Sequence, residues 1–455
     1  MTKNPKPNYI STTNACKLCT PLGACLAFKG IEGAVPYLHG SQGCATYMRR
    51  YIISHFNEPI DIASSSLSEK HAVYGGGPNL KMGLLNVTRK YAPKLIGIAT
   101  TCLTETIGDD VRLFLHEYER EVEGDKPLMV RVATPSYNGT HMEGFHNTVA
   151  AVVESLATKD AARAASAGTI NILPGFVSPA DIRYLKEIIS DFDLQATILP
   201  DLSETMDGPA AQTYAKIQPG GTPITAIKAM ADSKATLEFG HTMAAESAGV
   251  ILEVRFQVAN KRLALPMGIT ASDRFLATLS EISGQAVPAK HALERGRLVD
   301  SYVDGHKYIY GKRAIVYGEE DLVVGLTAFL AEIGVMPVLC ASGGRSGKLA
   351  RQIALATGNL LPEQPQVFEG MDFFEISEMA EELGPDLLVG HSKGYPLARK
   401  LEIPLIRVGF PIHDRMGGQR LLHLGYRGAQ SLFDQVVNAV IAKKQSDSPV
   451  GYAYM

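Results

Sequence analysis

The chain has 455 residues, of which 45% are hydrophobic and 20% charged, a composition typical of a globular protein with several domains. Its 44 basic and 47 acidic residues leave a net charge of −3, which gives no support to binding of nucleic acid or an anionic membrane. The start lacks the apolar core of a secretory signal, and no apolar run approaches the ~20 residues of a membrane span. We therefore expect a cytoplasmic protein.

Alternating strands and helices are predicted through the first third of the chain. Such alternation is typical of a parallel α/β sheet, whose functional groups lie on loops after the carboxyl ends of the strands. The predicted elements are a short helix within Cys19–Gly30, strand Ala34–Leu38, helix Ala45–Ser54, extended Ile60–Ala63, helix Asn79–Tyr91, strand Leu95–Ala99, helix Asp109–Glu121, strand Leu128–Val132 and a helix at about His146–Thr158.

Two further α/β units are predicted after an Ala-rich, charged linker at Lys159–Ala167. The second unit contains Ile170–Leu173, helix Pro179–Ser190, Ala196–Leu199, Ala235–Phe239, a helix ending at Gly249, the segment Val250–Leu252, helix Ser272–Ser283 and a long helix from Pro288 past Ser301. The third contains Arg313–Val316, helix Leu322–Ile333, Met336–Leu339, Leu387–Val389, Leu405–Val408 and helix Gly428–Lys444. The sequence thus predicts an α/β protein of three domains with parallel sheets, at residues 1–158, 159–310 and 311–455.

The cysteines are concentrated near the start of the chain. Five of the six precede residue 103, namely Cys16, Cys19, Cys25, Cys44 and Cys102, and the sixth is Cys340. A disulfide framework is not expected in a reducing cytosol, and buried structural thiols would not cluster in this way.

Three of these cysteines stand where an extended run ends and a helix begins. Cys19 follows Cys16-Lys17-Leu18, Cys44 ends the segment His39-Gly40-Ser41-Gln42-Gly43-Cys44, and Cys102 follows Thr100-Thr101. The positive end of a helix dipole stabilises a thiolate, and glycine lets a ligand approach the backbone closely. Three such thiolates in one domain are what an iron–sulfur cluster requires.

The remaining cysteines have simpler interpretations. The Cys16-x-x-Cys19 spacing also occurs in thioredoxin-like redox sites, but no clear strand precedes it, and a zinc ribbon would need a second such pair. Cys19 as a cluster ligand with Cys16 as its neighbour fits better. Cys25 on an apolar helix face and Cys340 at the end of an apolar strand are predicted to be buried thiols.

Other polar motifs are less specific. The segment Gly343–Lys348 resembles a phosphate loop, but Ser342 and Leu349 break the pattern at its two ends, so only anion contact through backbone N–H groups is supported. Four histidines follow predicted strands and are candidates for the border of a site: His39, His141, His391 and His413. Three cations are candidates for offsetting the charge of an anionic cluster: Arg49, Arg50 and Lys393.

These motifs together resemble the β-type subunits of the nitrogenase component 1 superfamily, over most of the chain. The resemblance rests on Cys19–Ala24, His39–Cys44, Ala63–Ser66, Thr100–Asp110, Thr134–Ser136 and Gly409–Arg415. It implies three Rossmann-like domains around a cleft, and pairing with a homologous α-type subunit as an α2β2 heterotetramer. It also implies an iron–sulfur cluster at the α/β interface, with Cys19, Cys44 and Cys102 as ligands and with Gly43, Thr101 and Thr140 against the cluster.

Within the superfamily, the chain looks most like the scaffold subunit NifN, on which the iron–molybdenum cofactor is assembled. This likeness rests on Asp414–Arg420, Pro200–Gly208, Gly220–Ile224 and Arg295–Lys312, and on the absence of a long N-terminal extension. It implies a NifE-like α-type partner, a NifB-type cluster donor and a reductase iron protein that docks at the α/β interface. The interface would hold a [4Fe–4S] cluster, and the cofactor precursor would be held mainly by the partner.

A catalytic subunit is the alternative, because all three cysteines are present, as in chains that hold an [8Fe–7S] P-cluster. The chain would then be the β subunit of a nitrogenase or of a methylthio-alkane reductase, with a NifD-like partner. Its cluster would relay electrons to a substrate-reducing cofactor on that partner, and no catalytic residue is expected in this chain.

Overall fold

The computed structural model describes residues 16–137, 139–160, 168–210 and 212–451. Most of the predicted linker, 161–167, lies outside these ranges. Three sheets, of four, four and five strands, are built from the described residues, and every strand pairing within them is parallel. None of the helices in these ranges is both long and apolar enough to cross a membrane. The predicted α/β class with three parallel sheets is confirmed, whereas the boundaries 1–158, 159–310 and 311–455 stay a prediction.

The first sheet has the strand order β2-β1-β3-β4. Its elements are α1 Thr20–Lys29, β1 Ala34–His39, α2 Gln42–Phe56, β2 Ala63–Ser64, α3 Glu69–Tyr74, α4 Gly77–Tyr91, β3 Leu95–Thr100, α5 Cys102–Ile107, α6 Val111–Glu121, β4 Leu128–Val132 and α7 His141–Leu156. The strand order reverses between β1 and β3, which makes the gap after these strands the topological switch point of the sheet.

The second and third sheets follow the same plan. The second, in the order β6-β5-β7-β8, comprises β5 Thr169–Leu173, α8 Pro179–Ser190, β6 Gln195–Ile198, α9 Ile224–Ala229, β7 Thr236–Phe239, α10 Ala248–Phe256, β8 Asn260–Leu263, α11 Gly268–Ser283 and α12 Ala289–Ile309. The third, in the order β11-β10-β9-β12-β13, comprises β9 Arg313–Gly318, α13 Glu320–Glu332, β10 Met336–Ser342, α14 Leu349–Thr357, β11 Gln366–Glu369, α15 Phe373–Leu383, β12 Leu387–Gly390, α16 Tyr395–Lys400, β13 Leu405–Arg407 and α17 Gly425–Asp447.

Most predicted elements are present with ends shifted by a few residues, and β4 and α8 have the predicted bounds. The segment Val250–Leu252 is not a separate element but lies inside α10, where the Ser247 hydroxyl caps the helix by accepting the Val250 N–H. A short apolar run with β-branched residues does not distinguish a strand from a buried helix. The prediction also missed eight elements: α3, α5, β8, α9, α14, β11, α15 and α16.

Helix α1 is buried along its whole length, since all ten of its residues are buried. It crosses α7 with backbone against backbone. A β-carbon on Gly23 would lie 1.6 Å from the carbonyl oxygen of His141, and one on Gly144 would lie 1.9 Å from that of Thr20. Only glycine permits this approach. The crossing fixes the start of α1, and therefore Cys19, beside the loop that follows β4.

Candidate functional site

Cys44 and Cys102 follow the two strands of the switch point. His39 and Thr100, the last residues of β1 and β3, are register partners in the sheet. The chain then leaves each strand through a short loop into the first turn of α2 or α5, which contain Cys44 and Cys102. Ligands bind at such a switch point because the loops on either side of it diverge. The fold therefore brings these two thiols to one edge of the sheet.

The third thiol, Cys19, is the N-cap of α1. All three predicted ligands are free and partly exposed, whereas the other cysteines of the chain are free and buried. The pKa of Cys19 is raised above its ordinary value, first by burial and then by the nearby Cys102 and Cys44 thiols. Cys19 thus lies within electrostatic reach of both other thiols.

Ser136, which was not among the predicted site residues, connects two of the thiols. Its backbone N–H donates to Sγ of Cys102 at 3.2 Å, and its hydroxyl accepts the N–H of Thr20 at 3.1 Å. The same hydroxyl hydrogen-bonds Cys19 and opposes the rise in that thiol's pKa. The signal in the sequence was the Thr134-Pro135-Ser136 motif, but nothing there showed which cysteines the serine would meet.

The surroundings of these thiols fit a cluster ligated by thiolates better than a single metal ion. Among the described residues, no group of three or more His, Cys, Asp or Glu side chains could hold a metal ion. Donors of N–H and O–H bonds to sulfur, as at Ser136, stabilise thiolates and set the potentials of iron–sulfur clusters. Each thiol also lies at the start of a helix, where the dipole favours negative charge.

Two glycines of the Cys44 loop differ in the space available for a β-carbon. A β-carbon on Gly40 would lie 2.1 Å from Oγ1 of Thr101, so this glycine is required by the packing of the chain itself. A β-carbon on Gly43 would meet nothing nearer than the Ser41 hydroxyl at 3.9 Å. Nothing within the described chain therefore explains a glycine at position 43, and the open space beside it suits an external group.

The two predicted threonines differ in their hydrogen bonding. Thr101 is buried, and its hydroxyl has no hydrogen-bond partner among the described residues. Thr140 is also buried, and its hydroxyl accepts the Met142 N–H at 3.1 Å and bonds the Glu143 carboxylate, capping α7. Thr101 therefore has unused bonding capacity, whereas the Thr140 hydroxyl is already engaged.

Cys16 lies close to Cys19 in sequence but in a different environment. Burial raises the pKa of Cys16 to about 12, and its Sγ lies 3.8 Å from Nε2 of His391 in the third unit. Cys25 and Cys340 are buried as predicted, and burial raises the pKa of Cys340 to about 12 and that of Cys25 further. Burial thus separates these three thiols from the partly exposed Cys19, Cys44 and Cys102.

A cation and an aromatic group lie beside the thiols. Lys393 interacts electrostatically with Cys16 and Cys19, and its Nζ lies 5.5 Å from the ring centroid of Tyr51. The Tyr51 ring also contacts Tyr47, at 4.7 Å between centroids, and His413, at 5.3 Å. Of the three predicted charge-offsetting cations, Lys393 is thus placed near a thiol. Arg49 and Arg50 lie exposed on α2.

The other predicted histidines are engaged in structural contacts. His39 is fully buried, with Nδ1 3.0 Å from the Ser65 hydroxyl and Nε2 3.0 Å from Oδ2 of Asp109. His141 places Nε2 3.1 Å from Oε1 of Glu319, across the contact with the third unit. These histidines fix the loops that border the thiols.

The Gly343–Lys348 loop binds anions that belong to the chain itself. The Ser346 N–H donates to Glu320 at 3.0 Å, and the Gly347 N–H donates to Glu369 at 2.8 Å. A β-carbon on Gly343 would lie 2.7 Å from Cβ of Lys17, so this glycine admits the segment that leads to Cys19. The loop is therefore a packing surface, and its likeness to a phosphate loop has a structural origin.

Comparison with known proteins supplies independent findings. The family described as nitrogenase component 1 type oxidoreductase matches residues 19–441. The nitrogenase molybdenum-iron protein beta chain of Clostridium pasteurianum is 36% identical over 433 residues, covering 94% of this chain and 93% of that protein. The corresponding beta chain of Azotobacter vinelandii is 35% identical over 452 residues, covering 96% of this chain and 86% of that protein.

Solved structures agree with these sequence matches. A chain of nitrogenase Cp1 at pH 6.5 superposes with a TM-score of 0.94 at 34% identity, over 100% of this chain and 98% of that chain. A chain of nitrogenase Cp1 at pH 5 superposes with a TM-score of 0.71 at 15% identity, over 98% of this chain and 94% of that chain, which shows a shared fold only.

Proposed function

We infer the function of this chain from its family, because it belongs to the nitrogenase component 1 type oxidoreductases, as a member of the beta-chain type. We propose that it supplies three thiolate ligands of an iron–sulfur cluster at its contact with a homologous α-type chain. Its relatives are named as beta chains of a molybdenum-iron protein, which supports both a metal cluster and an assembly with another kind of chain.

One observation carries this proposal. Cys19, Cys44 and Cys102 lie partly exposed at three helix starts on one edge of the first sheet, while the other cysteines are buried. Three thiolates leave a cluster of four or more irons short of ligands, so the remaining ligands come from another chain.

The residues of this chain have separate roles in the proposal. The three thiolates hold the cluster, which, when bound, stores and passes electrons. Ser136 positions Cys19 and Cys102 through its hydroxyl and its N–H, and Gly43 leaves the space beside Cys44 open. Lys393 places a positive charge near Cys19, which favours the thiolate. Thr101 and Thr140 border the cluster from the loops before α5 and α7.

We propose a NifN-like scaffold as the role of the assembled complex. The segment Asp414–Arg420, which supports this role in the sequence, is firmly held in the fold. Asp414 accepts two bonds from Nε and Nη2 of Arg407, at 2.9 and 2.6 Å, and Nη1 of Arg420 lies 3.5 Å from Oδ1 of Asp207. In this role a NifE-like partner holds the cofactor precursor, a NifB-type donor delivers it and a reductase iron protein docks at the α/β interface.

A catalytic role is the second candidate, and the intact set of three partly exposed thiols favours it. In that case the interface cluster is the [8Fe–7S] P-cluster, and electrons pass through it to a substrate-reducing cofactor on a NifD-like partner. The naming of the relatives as molybdenum-iron protein beta chains gives this alternative further support.

Metal analysis of the complex with its α-type partner tests both candidates. The iron lost per αβ pair on substitution of Cys44→Ala measures the interface cluster alone. A loss of about four irons supports the scaffold, and a loss of about eight supports the P-cluster subunit. Equal iron in the wild type and the variant would overturn the proposal that Cys44 is a ligand. Assays with acetylene, dinitrogen and a thioether then test catalysis directly.

A further inference from the structure

Lys29, at the end of α1, is a buried cation without a direct partner. Its residue is 6% exposed, and among the described residues its ammonium group makes no hydrogen bond and no ion pair within 4 Å. The two nearest carboxylates, Asp61 and Glu58, act on it only through longer electrostatic interactions. Glu58 already accepts the N–H of Gly208 at 3.1 Å. The side chain is therefore largely buried while its ammonium group keeps access to the adjoining cavity, where an anion would pair with it directly.

Lys29 lines a cavity of about 290 Å³ between the first and second sheet units. One side is formed by the start of β1, the end of α4 and the segment before β2, and the other side by the loop 213–218. The polar side chains that line it include those of Lys29, Asp61, Tyr91, Tyr214, Lys216 and Gln218.

The charges around this cavity favour an anion. Lys29 and Lys216 line it, and Lys90 interacts electrostatically with both Asp61 and Tyr214 at its edge. Three cations, Lys29, Lys90 and Lys216, thus lie in or beside the cavity, against the two carboxylates of Asp61 and Glu58. The Tyr214 side chain is 88% exposed and Tyr91 is partly buried, so both present hydroxyl groups at the wall without closing the cavity.

We propose that this cavity binds a small anion with a carboxylate or phosphate group, held chiefly by the Lys29 ammonium group. Burial lowers the pKa of Lys29, and a bound anion would raise that pKa again. The end of α1 further favours a cation at this position, through the negative end of the helix dipole.

A bound anion would hold two sheet units together. The residues after Lys29 are already joined to the second unit, since the Asp201 and Thr222 N–H groups donate to the carbonyl of Gly30 at 3.0 and 2.8 Å. An anion on Lys29 and Lys216 would add the loop 213–218 to this contact. The site is independent of the proposed cluster, because Cys19 lies at the other end of α1, about 15 Å away along the helix.

Isothermal titration of the complex with inorganic phosphate, and separately with acetate, tests this proposal. We expect one saturable site per chain for at least one of the two anions, and the comparison identifies the preferred group. Lys29→Met keeps the length of the side chain, removes the charge and is expected to weaken binding at least tenfold. Lys443→Met, at a partly exposed position of α17 where Lys443 pairs with Asp447, removes the same charge elsewhere and should bind as the wild type does. Absence of binding by the wild type, or equal binding by Lys29→Met, would overturn the proposal.

A measurement on the wild type covers the case in which Lys29→Met does not fold. Amine-selective labelling followed by peptide mass spectrometry reports the modification rate of Lys29 itself. Saturating phosphate or acetate should slow labelling of Lys29 severalfold and leave Lys443 unchanged. Equal rates with and without both anions would contradict the proposed site.

Discussion

The backbone N–H of Ser136 donates a hydrogen bond to Sγ of Cys102 at 3.2 Å. The serine hydroxyl turns the other way, to the N–H of Thr20 and to Cys19. A single residue, in the loop that follows β4, therefore hydrogen-bonds two thiols. These thiols are 83 positions apart in sequence and belong to different helices. The serine makes these contacts because α7, which begins shortly after it, crosses α1 at Gly23.

Ser136→Ala should separate the two contacts of this serine. The N–H bond to Cys102 remains, but the buried Thr20 N–H loses its acceptor, at a cost of about 1–3 kcal/mol in the free energy of unfolding. The hydroxyl lowers the pKa of Cys19, so its removal should raise that pKa and slow alkylation of Cys19 near pH 8. Alkylation followed by mass spectrometry measures this, with the exposed Ser54→Ala as the control. An unchanged Cys19 rate would show that the hydroxyl does not act on the thiol.

Cys44→Ala and Cys340→Ala should have opposite effects on iron and stability. Cys44 is partly exposed at the start of α2, so its loss should remove or distort the interface cluster, with little effect on the fold. Cys340 is buried with its Sγ 3.2 Å from the Thr327 hydroxyl, so its loss should cost about 1 kcal/mol of stability and leave iron content unchanged. Iron analysis and thermal unfolding of both variants measure the two effects. A fall in iron for Cys340→Ala would contradict the assignment.

The placement of Cys44 and Cys102 at one edge of the sheet could be predicted because it depends on local signals, whereas the placement of Cys19 beside them depends on the crossing of α1 and α7. A strand that ends in a Gly- or Thr-containing loop before a helix places the next side chain at the helix start, and parallel strands bring such loops to one edge. This reasoning places Cys44 and Cys102 at one edge of the sheet without reference to the strand order. The short helix α5 was missed because its six residues are too few to show helical periodicity.

The contacts between units could not be predicted, because they depend on how distant segments pack. A lysine at the last position of a helix is normally exposed to solvent. Nothing in the sequence showed that Lys29 would be covered by the second unit. The partnership of Cys16 with His391, 375 positions away, likewise arises only when the third unit is in place. The Gly343–Lys348 motif was ambiguous for the same reason, since its partners Glu320 and Glu369 are distant in sequence.

His55 should make the protein sensitive to mild acid. It is buried, its Nδ1 accepts the Ile412 N–H at 2.9 Å, and burial, with His413 nearby, lowers its pKa from 6.5 to about 3. Between these values the unfolded chain binds a proton that the folded chain does not. Stability is therefore full above pH 6.5 and falls by about 1.4 kcal/mol per pH unit as the pH decreases toward 3. Two units of acidification should cost about 3 kcal/mol from this residue.

Denaturant unfolding of His55→Asn between pH 7 and pH 4.5 tests this dependence. The asparagine oxygen can accept the Ile412 N–H, so the fold is retained while the titrating group is lost. The variant should lose less stability with falling pH than the wild type does, although burial also lowers the pKa of His391 to about 3 and leaves part of the slope. His116→Gln, on the exposed face of α6, should keep the full slope of the wild type. Parallel curves for the wild type and His55→Asn would show that His55 does not cause the acid sensitivity.

Gly43→Ala should leave the fold intact and impair only the binding of the cluster and of the α-type partner. A β-carbon there meets no atom of the chain within 3.9 Å, and alanine in the first turn of α2 is favoured over glycine by up to about 1 kcal/mol. The free energy of unfolding of the isolated chain should thus be unchanged or slightly higher. Iron content and association with the α-type partner should both fall. Gly40→Ala provides the contrast. Its β-carbon would lie 2.1 Å from Oγ1 of Thr101, so this substitution should destabilise the chain itself. If Gly43→Ala assembled with full iron content, the space beside Gly43 would have no role in holding the cluster or the partner.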